Sequence, residues 1–386
     1  ISTHFQQRIF IICLVLKTQL GFYTLIHTLY YYYIKIRKES KSMKTSIQKN
    51  ILLEKLLTAS HFTSNKLGLS EALRGVLIKG GKKEIHIYST NLSSYYHTTL
   101  PCETEEKLNM VIDTKRVIEF ISLLEEGELQ FEAIKNTLHL SQKKTTGTFS
   151  FINQEDFPLP PTIKEKGQEI KSSFFLSSIP LVLFSSSKDE SRPALNGINF
   201  VDIDGEMGIV STDGFRLSLL KIKKEETIHP MLIPSGFLNE VMKFMKGEEK
   251  ITFSFSPNEK TVLFQVGKDE FFSRLIDGEF PPFERVIPNE KKTTVQVDRE
   301  ELLNKIKLVS IFAREASNIV VCEFSKTGLV LRPKTEKERE NFTQLDAVVE
   351  GEDQMVAFNF RFVLDFLNNA QEKKIEIELL RPDAPV

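Results

Sequence analysis

The chain carries one architectural unit written about three times, and that triplication limits its possible folds more than any single motif. A helix after Lys115 sets Val117, Phe120, Ile121 and Leu124 at i, i+3, i+4 and i+7, one apolar face. The same face returns at Leu238, Val241, Met242 and Met245, and again at Val363, Phe366, Leu367 and Ala370. Anchored on Ile112, Ile233 and Phe358, the steps are 121 and 125 residues. The first two of these helices have the same sequel. A charged turn (Glu125-Glu126-Gly127, Lys246-Gly247-Glu248-Glu249) leads into alternating apolar strands, then into Asp156-Phe157-Pro158 or Glu279-Phe280-Pro281. Repeats of this length exceed the roughly 20–50 residues of a solenoid unit, so each is expected to be a domain with its own core.

Within the first repeat, helical spacing runs over Ile47–His61, and period-two alternation predicts strands at Leu73–Ile78, Ile85–Ser89 and Tyr95–Leu100. The second helix is Asp113–Leu124, with Asp113 or Thr114 as its N-cap. The polar stretch Leu159–Lys171 reads as a linker. In the second repeat a short helix near Leu176–Ser186 precedes strands at Ile198–Ile203, Met207–Ser211 and Arg216–Ile222, and Ser235 is expected to cap a helix after Pro234. The third opens with the helix Asp298–Phe312, marked by the capping pattern Asp298-x-x-Glu301, and closes with the helix Asn359–Ala370, after a strand near Gln344–Glu350. The fold class is therefore α+β with antiparallel sheets, in three tandem similar domains of two helices each: 43–160, 171–289 and 293–386. From Phe358 onward the third repeat is shorter than its predecessor, so by internal symmetry it is expected to lack two strands.

The formal charge of −1 hides a split, because residues 1–42 hold six Lys and Arg against Glu39. The body is thus acidic, and any nucleic acid it binds must meet a local basic surface. Residues 1–42 match none of the repeats. They read either as upstream sequence ahead of a start at Met43, or as a poor membrane anchor flanked by Tyr30–Tyr33 and Lys35–Lys41. Cys13, Cys102 and Cys322 lie too far apart for a metal motif or a disulfide framework, which suits a reducing cytoplasm. No Walker-type phosphate loop, zinc-protease motif or paired Cys-x-x-Cys occurs, so no cofactor or catalytic role is indicated. Asp213 in Ser-Thr-Asp-Gly-Phe-Arg-Leu reads as part of a tight turn rather than as a catalytic acid.

Several segments carry a resemblance: Arg192-Pro193-Ala194-Leu195-Asn196-Gly197-Ile198, Ser211-Thr212-Asp213-Gly214-Phe215-Arg216-Leu217 and Ile233-Pro234. Leu275-Ile276-Asp277-Gly278-Glu279-Phe280-Pro281, Phe283-Glu284-Arg285-Val286-Ile287-Pro288 and Phe358-Asn359-Phe360 continue it. In this order and at these spacings they resemble the bacterial sliding clamps, the β subunits of DNA polymerase III, from Met43 to Val386.

The resemblance implies a DNA clamp fold and a non-catalytic processivity factor. Two chains would close head to tail into a ring, helices lining its interior and sheets outside. It implies double-stranded DNA as a sequence-independent partner, with the polymerase III α subunit, the clamp loader and other motif-bearing proteins docking as peptides. Candidate DNA-facing residues are Lys49, Lys55, Lys66, Lys115, Arg116, Lys188, Arg192, Lys243, Lys246, Lys305 and Arg361. The implied peptide pocket comprises Leu195, Thr212, Gly214, Phe215, Arg216, Leu217, Pro281, Arg285, Val286 and Pro385. Phe312 is the implied apolar residue of the homodimer interface. The competing expectation is a membrane-anchored β-rich interaction protein that uses residues 1–42 as its anchor.

Overall fold

The computed structural model describes residues 43–386 apart from 65, 67–69, 82, 104–106, 153–156, 224–227, 316 and 335–340. Residues 1–42, and the anchor reading with them, lie outside the described residues. The chain divides into two compact units, one running to Pro160 and including Lys268–Glu270, the other formed by Pro161–Gly267 and Phe271–Val386.

In the first unit, strand β1 (Met43–Gln48) buries Met43, Thr45 and Ile47 and exposes alternate residues, as a half-buried strand should. It runs directly into helix α1 (Lys49–Ser60). After a 3-10 turn at Glu71–Arg74 come β2 (Val76–Gly81), β3 (Glu84–Thr90), β4 (Ser94–Pro101) and β5 (Leu108–Ile112). Helix α2 (Thr114–Ser122) begins where the Asp113 carboxylate accepts from the Lys115 and Arg116 amides, satisfying two otherwise orphaned donors. Strands β6 (Glu128–Ile134), β7 (Thr137–Gln142) and β8 (Thr145–Ile152) complete an antiparallel order β1-β6-β7-β8-β5-β2-β3-β4, and α1 packs on α2.

The second unit writes this plan twice. Strand β9 (Gln168–Lys171) leads into helix α3 (Ser172–Ser178), followed by the short α4 (Pro180–Leu183). Pro180 lacks an amide proton, so the single helix expected near Leu176–Ser186 is divided there. Strands β10 (Gly197–Ile203), β11 (Glu206–Thr212), β12 (Leu217–Ile222) and β13 (Met231–Pro234) form one sheet. The two-residue loop joining β10 to β11 has positive φ at both Asp204 and Gly205, the backbone that suits a hairpin's twist. Helix α5 (Ser235–Met245) follows, with Ser235 as its first buried residue and no side-chain cap bond, contrary to the expected cap. Strands β14 (Lys250–Ser256), β15 (Thr261–Val266) and β16 (Asp269–Arg274) end the second repeat.

The third repeat consists of β17 (Thr293–Asp298), α6 (Arg299–Ala313), β18 (Ile319–Ser325), β19 (Gly328–Pro333), β20 (Thr343–Leu345), β21 (Ala347–Gly351), β22 (Gln354–Asn359), α7 (Phe360–Asn369) and β23 (Lys374–Leu379). The Asp298 carboxylate caps α6 by accepting from the Glu301 amide at 2.9 Å, as the capping pattern required. The strand expected near Gln344–Glu350 is two strands, because the chain changes sheet at Asp346: β20 pairs with β19, and β21 with β17. The third repeat's core gathers Val295, Leu302, Ile306, Val309, Phe324, Leu331 and Leu367 between its sheets and helices.

The three repeats share one closing contact. The first amide of the leading helix donates to a carbonyl just after the second helix: Lys49 to Gly127 at 2.9 Å, Ser172 to Glu249 at 3.0 Å, and Arg299 to Lys373 at 2.9 Å. The flanking strands pair at the same register, Gln48 with Glu128, Lys171 with Lys250 and Asp298 with Lys374. The second and third repeats nevertheless form one compact unit, since Arg216 of the second reaches Asp365 of the third.

Candidate functional site: an apolar cleft and exposed basic side chains

A cleft in the second unit is shaped by one turn. Between β11 and β12 the Asp213 carboxylate accepts from the Phe215 amide at 2.9 Å and the Arg216 amide at 3.0 Å. Thr212 donates its hydroxyl to the Arg216 carbonyl at 2.6 Å and accepts from the Gly214 amide at 3.0 Å. Gly214 takes φ +91°, which a side chain would resist. The expected turn at Asp213 is thus present, and Arg216 belongs to it rather than to the following strand. Its geometry throws Phe215 outward, 81% exposed, and turns Arg216 inward.

Arg216 is held on all sides. Its Nε donates to Asp213 at 3.1 Å, Nη1 to Asp365 at 2.6 Å, and Nη2 to the Phe184 carbonyl at 2.6 Å. The guanidinium lies 4.4 Å from the Phe362 ring centroid and 5.6 Å from that of Phe184. One side chain therefore fastens the turn to the end of α4 and to α7.

The cleft beside this turn encloses about 970 Å³. Of the ten residues proposed as a pocket from resemblance, nine line it; Arg285 does not. Arg285 sits exposed in the 3-10 turn Phe283–Val286, whose Phe283 and Val286 face the cleft instead. Sequence reasoning missed the opposite wall: Val356, Phe358, Asn359, Phe362 and Val363 on β22 and α7, with Leu380 beyond β23. The motif Phe358-Asn359-Phe360 opens this wall, and the apolar positions after it are the sequence signal for the rest. Leu217 and Pro281 lie on the second repeat's wall and complete a largely apolar cleft with few polar groups, the form that takes an extended peptide.

The basic candidates divide by environment. Lys49 is only 7% exposed and its ammonium donates to Glu126 at 2.9 Å, so it is a structural ion pair rather than an outward cation. Lys55 is similarly committed, to Asp269 at 2.8 Å and Glu54 at 3.0 Å. Burial pulls the Lys55 ammonium down, but these two carboxylates outweigh it and leave its pKa raised. Lys66 is exposed in the first unit, as are Lys115 and Arg116. The latter two occupy the first turn of α2, where cations oppose the helix dipole, so local stability does not explain them.

In the second unit, Lys188, Arg192, Lys243, Lys246 and Arg361 are exposed and Lys305 is half-buried. Arg192 meets Asp189 at 3.2 Å and Lys243 meets Glu240 at 2.7 Å, surface pairs weak enough for a phosphate to replace. Hydrogen bonds from Ser191, with Arg192 beside it, hold the Asp189 carboxyl below its ordinary range, so it stays ionised. Phe312, at 36% exposure, ends an outer stripe of α6 with Leu308 at 51% and Ile311 at 58%.

Comparisons with known proteins point one way. The family model described as DNA polymerase III beta subunit, central domain, matches residues 169–282, and that of the C-terminal domain matches residues 284–386. The beta sliding clamp of Treponema pallidum is 24% identical over 351 residues, covering 88% of this chain and 94% of that protein. That of Chlamydia trachomatis is 26% identical over 320 residues, covering 79% and 74%. Among solved structures, the DNA polymerase III beta subunit of Thermotoga maritima has a TM-score of 0.80 at 25% identity, over 89% of this chain and 94% of that one. The Bacillus subtilis sliding clamp has a TM-score of 0.81 at 22% identity over the same shares, a likeness of fold.

Proposed function

Because this chain belongs to the DNA polymerase III beta subunit family, the beta sliding clamps, we propose that its cleft docks partner peptides while its exposed cations face duplex DNA. It is a DNA sliding clamp, a non-catalytic processivity factor of DNA replication. Two chains close head to tail, the third repeat of each meeting the first repeat of the other. The apolar stripe Leu308, Ile311 and Phe312 supports this, since a surface of that kind favours burial against a partner.

Duplex DNA offers phosphates all around its axis, so a ring needs inward positive charge without base readout. Lys66, Lys115, Arg116, Lys188, Arg192, Lys243, Lys246, Lys305 and Arg361 are the residues assigned to that role; Lys49 and Lys55 leave the set because carboxylates already hold them. The polymerase α subunit, the clamp loader and repair partners dock in the cleft, and the chain works in the cytoplasm. No observation favours membrane anchoring, and among the described residues no helix is long and apolar enough to cross a membrane.

The observation that carries the peptide reading is that nine residues chosen from scattered motifs gather around one apolar cleft. A short peptide with a Gln followed by Leu and Phe anchors is expected to bind there. Each buried anchor contributes roughly 1.5–3 kcal/mol, which after ordering costs leaves affinity in the micromolar range. Fluorescence titration of such a peptide tests the reading. Binding that survives Leu217→Asp unchanged sinks it.

A further inference from the structure

Charge is unevenly distributed around the cleft. Among its described lining residues Arg216 is the single cation, and Asp213 at 3.1 Å and Asp365 at 2.6 Å already neutralise it. Arg285, the other base expected in the pocket, is exposed and is not among the residues that line the cleft. Glu290, Glu378 and Asp383, by contrast, all line the cleft. Glu378 is paired with Lys291, and Asp383 with Arg381 at 2.8 Å, but both pairs are exposed and open to exchange. Glu290 is exposed and has no ion pair among the described residues. The lining of an apolar cleft therefore carries three exposed carboxylates and, among its described residues, no uncommitted cation to offset them.

Resting on the peptide-docking reading above, we propose that the cleft selects, among peptides with the same apolar anchors, those carrying lysine or arginine beside the anchors. The anchors supply the affinity through burial, and the rim supplies the choice. A basic flank adds attraction to Glu290, Glu378 and Asp383, and an acidic flank adds repulsion, which raises discrimination more than total affinity. These carboxylates face solvent, so the effect is moderate and fades as salt screens it.

Two labelled peptides with identical Gln, Leu and Phe anchors, one flanked by two lysines and one by two glutamates, separate the possibilities. Each is titrated by fluorescence anisotropy against the full chain. At low salt the lysine peptide is expected to bind about three- to ten-fold tighter, the gap shrinking as ionic strength rises. The double variant Glu290→Gln, Asp383→Asn is expected to lose most of that preference while binding the glutamate peptide at least as well as before, which also shows that it is folded. A control substitution at a distant exposed carboxylate, Glu169→Gln, is expected to leave the preference intact. Equal binding of both peptides to the unaltered chain overturns the selectivity while leaving the docking site standing. A preference untouched by the double variant also overturns it. If neither peptide binds, the docking reading fails and the selectivity falls with it.

Discussion

Helices α5 and α6 have similar apolar content but use it differently. In α5 the stripe Leu238, Val241, Met242 and Met245 is entirely buried, and the opposite face carries Glu240, Lys243 and Lys246 just beyond its end. In α6 a buried stripe of Leu302, Ile306, Val309 and Ala313 is joined by a second one, Leu308, Ile311 and Phe312, left open to solvent. The first arrangement serves only the fold. The second leaves apolar area whose burial awaits another surface, and the cleft beside Leu217 does the same on a concave scale. Periodicity identifies both kinds of stripe, but only burial tells which one the domain has already used.

The contrast breaks most visibly at Val241. Val241→Asp places an unpaired charge in a fully buried site and is expected to destabilise the second unit by more than about 3 kcal/mol. Thermal melting followed by circular dichroism checks this, and a melting temperature near that of the unaltered chain would erase the distinction between the helices. Phe312→Asp is the matching change on the outer stripe. It is expected to leave melting of the separated chain nearly unchanged yet shift sedimentation from dimer toward monomer. Leu217→Asp, in the cleft, is expected to abolish peptide binding without altering sedimentation or DNA association.

Polar surfaces give smaller effects. Replacing Lys115, Arg116 and Lys243 with Ala is expected to lower the slope of log affinity against log salt by up to about 3 if each meets a phosphate. Nitrocellulose or anisotropy titrations at several salt concentrations measure it, and an unchanged slope removes these three from the DNA-facing set. The smallest effect is expected at His86, whose ring stacks on His97 and Tyr88 in the first unit, with Glu84, Lys79 and Glu270 around it. Burial, and then the charge of His97, hold its pKa below the ordinary histidine value. As pH falls through about 6.5, the unfolded chain takes up the proton more readily, so stability present at neutral pH is lost. His86→Gln is expected to flatten that part of the profile, and melting between pH 7.5 and pH 5 tests it.

Much of the fold was legible because its strands and helices have clean periods and three of its helix starts have side-chain caps, at Asp113, Asp298 and Asn359. What escaped was set by tertiary context. Phe366 keeps the helical spacing of a core face, yet it is 43% exposed, because Leu367 alone among its neighbours is fully enclosed there. Nothing local marks Asp346 as the point where the chain leaves one sheet for another. Within the site, the wall contributed by the second repeat was readable from motifs, while that of the third depends on a fastening between repeats that no period encodes. Lys49 and Lys55 failed as outward cations for the same reason: their partners, Glu126 and Asp269, are distant in sequence.

The closing contact shared by the three repeats sets a clock on the growing chain. Ser46 on the opening strand and its partner Glu128 are 82 positions apart, and the matching pairs at Ser172 with Glu249 and Gln296 with Glu376 are separated by 77 and 80. At about 5–20 residues per second, a ribosome takes roughly 4–16 s to deliver the strand that completes each sheet. Three times during synthesis, then, a bare strand edge stands exposed for seconds, which is long against hairpin formation and long enough to meet another nascent chain. Slow codons inside these intervals prolong that exposure, whereas slow codons placed after β8 or β16 give a finished repeat time to close before the next begins.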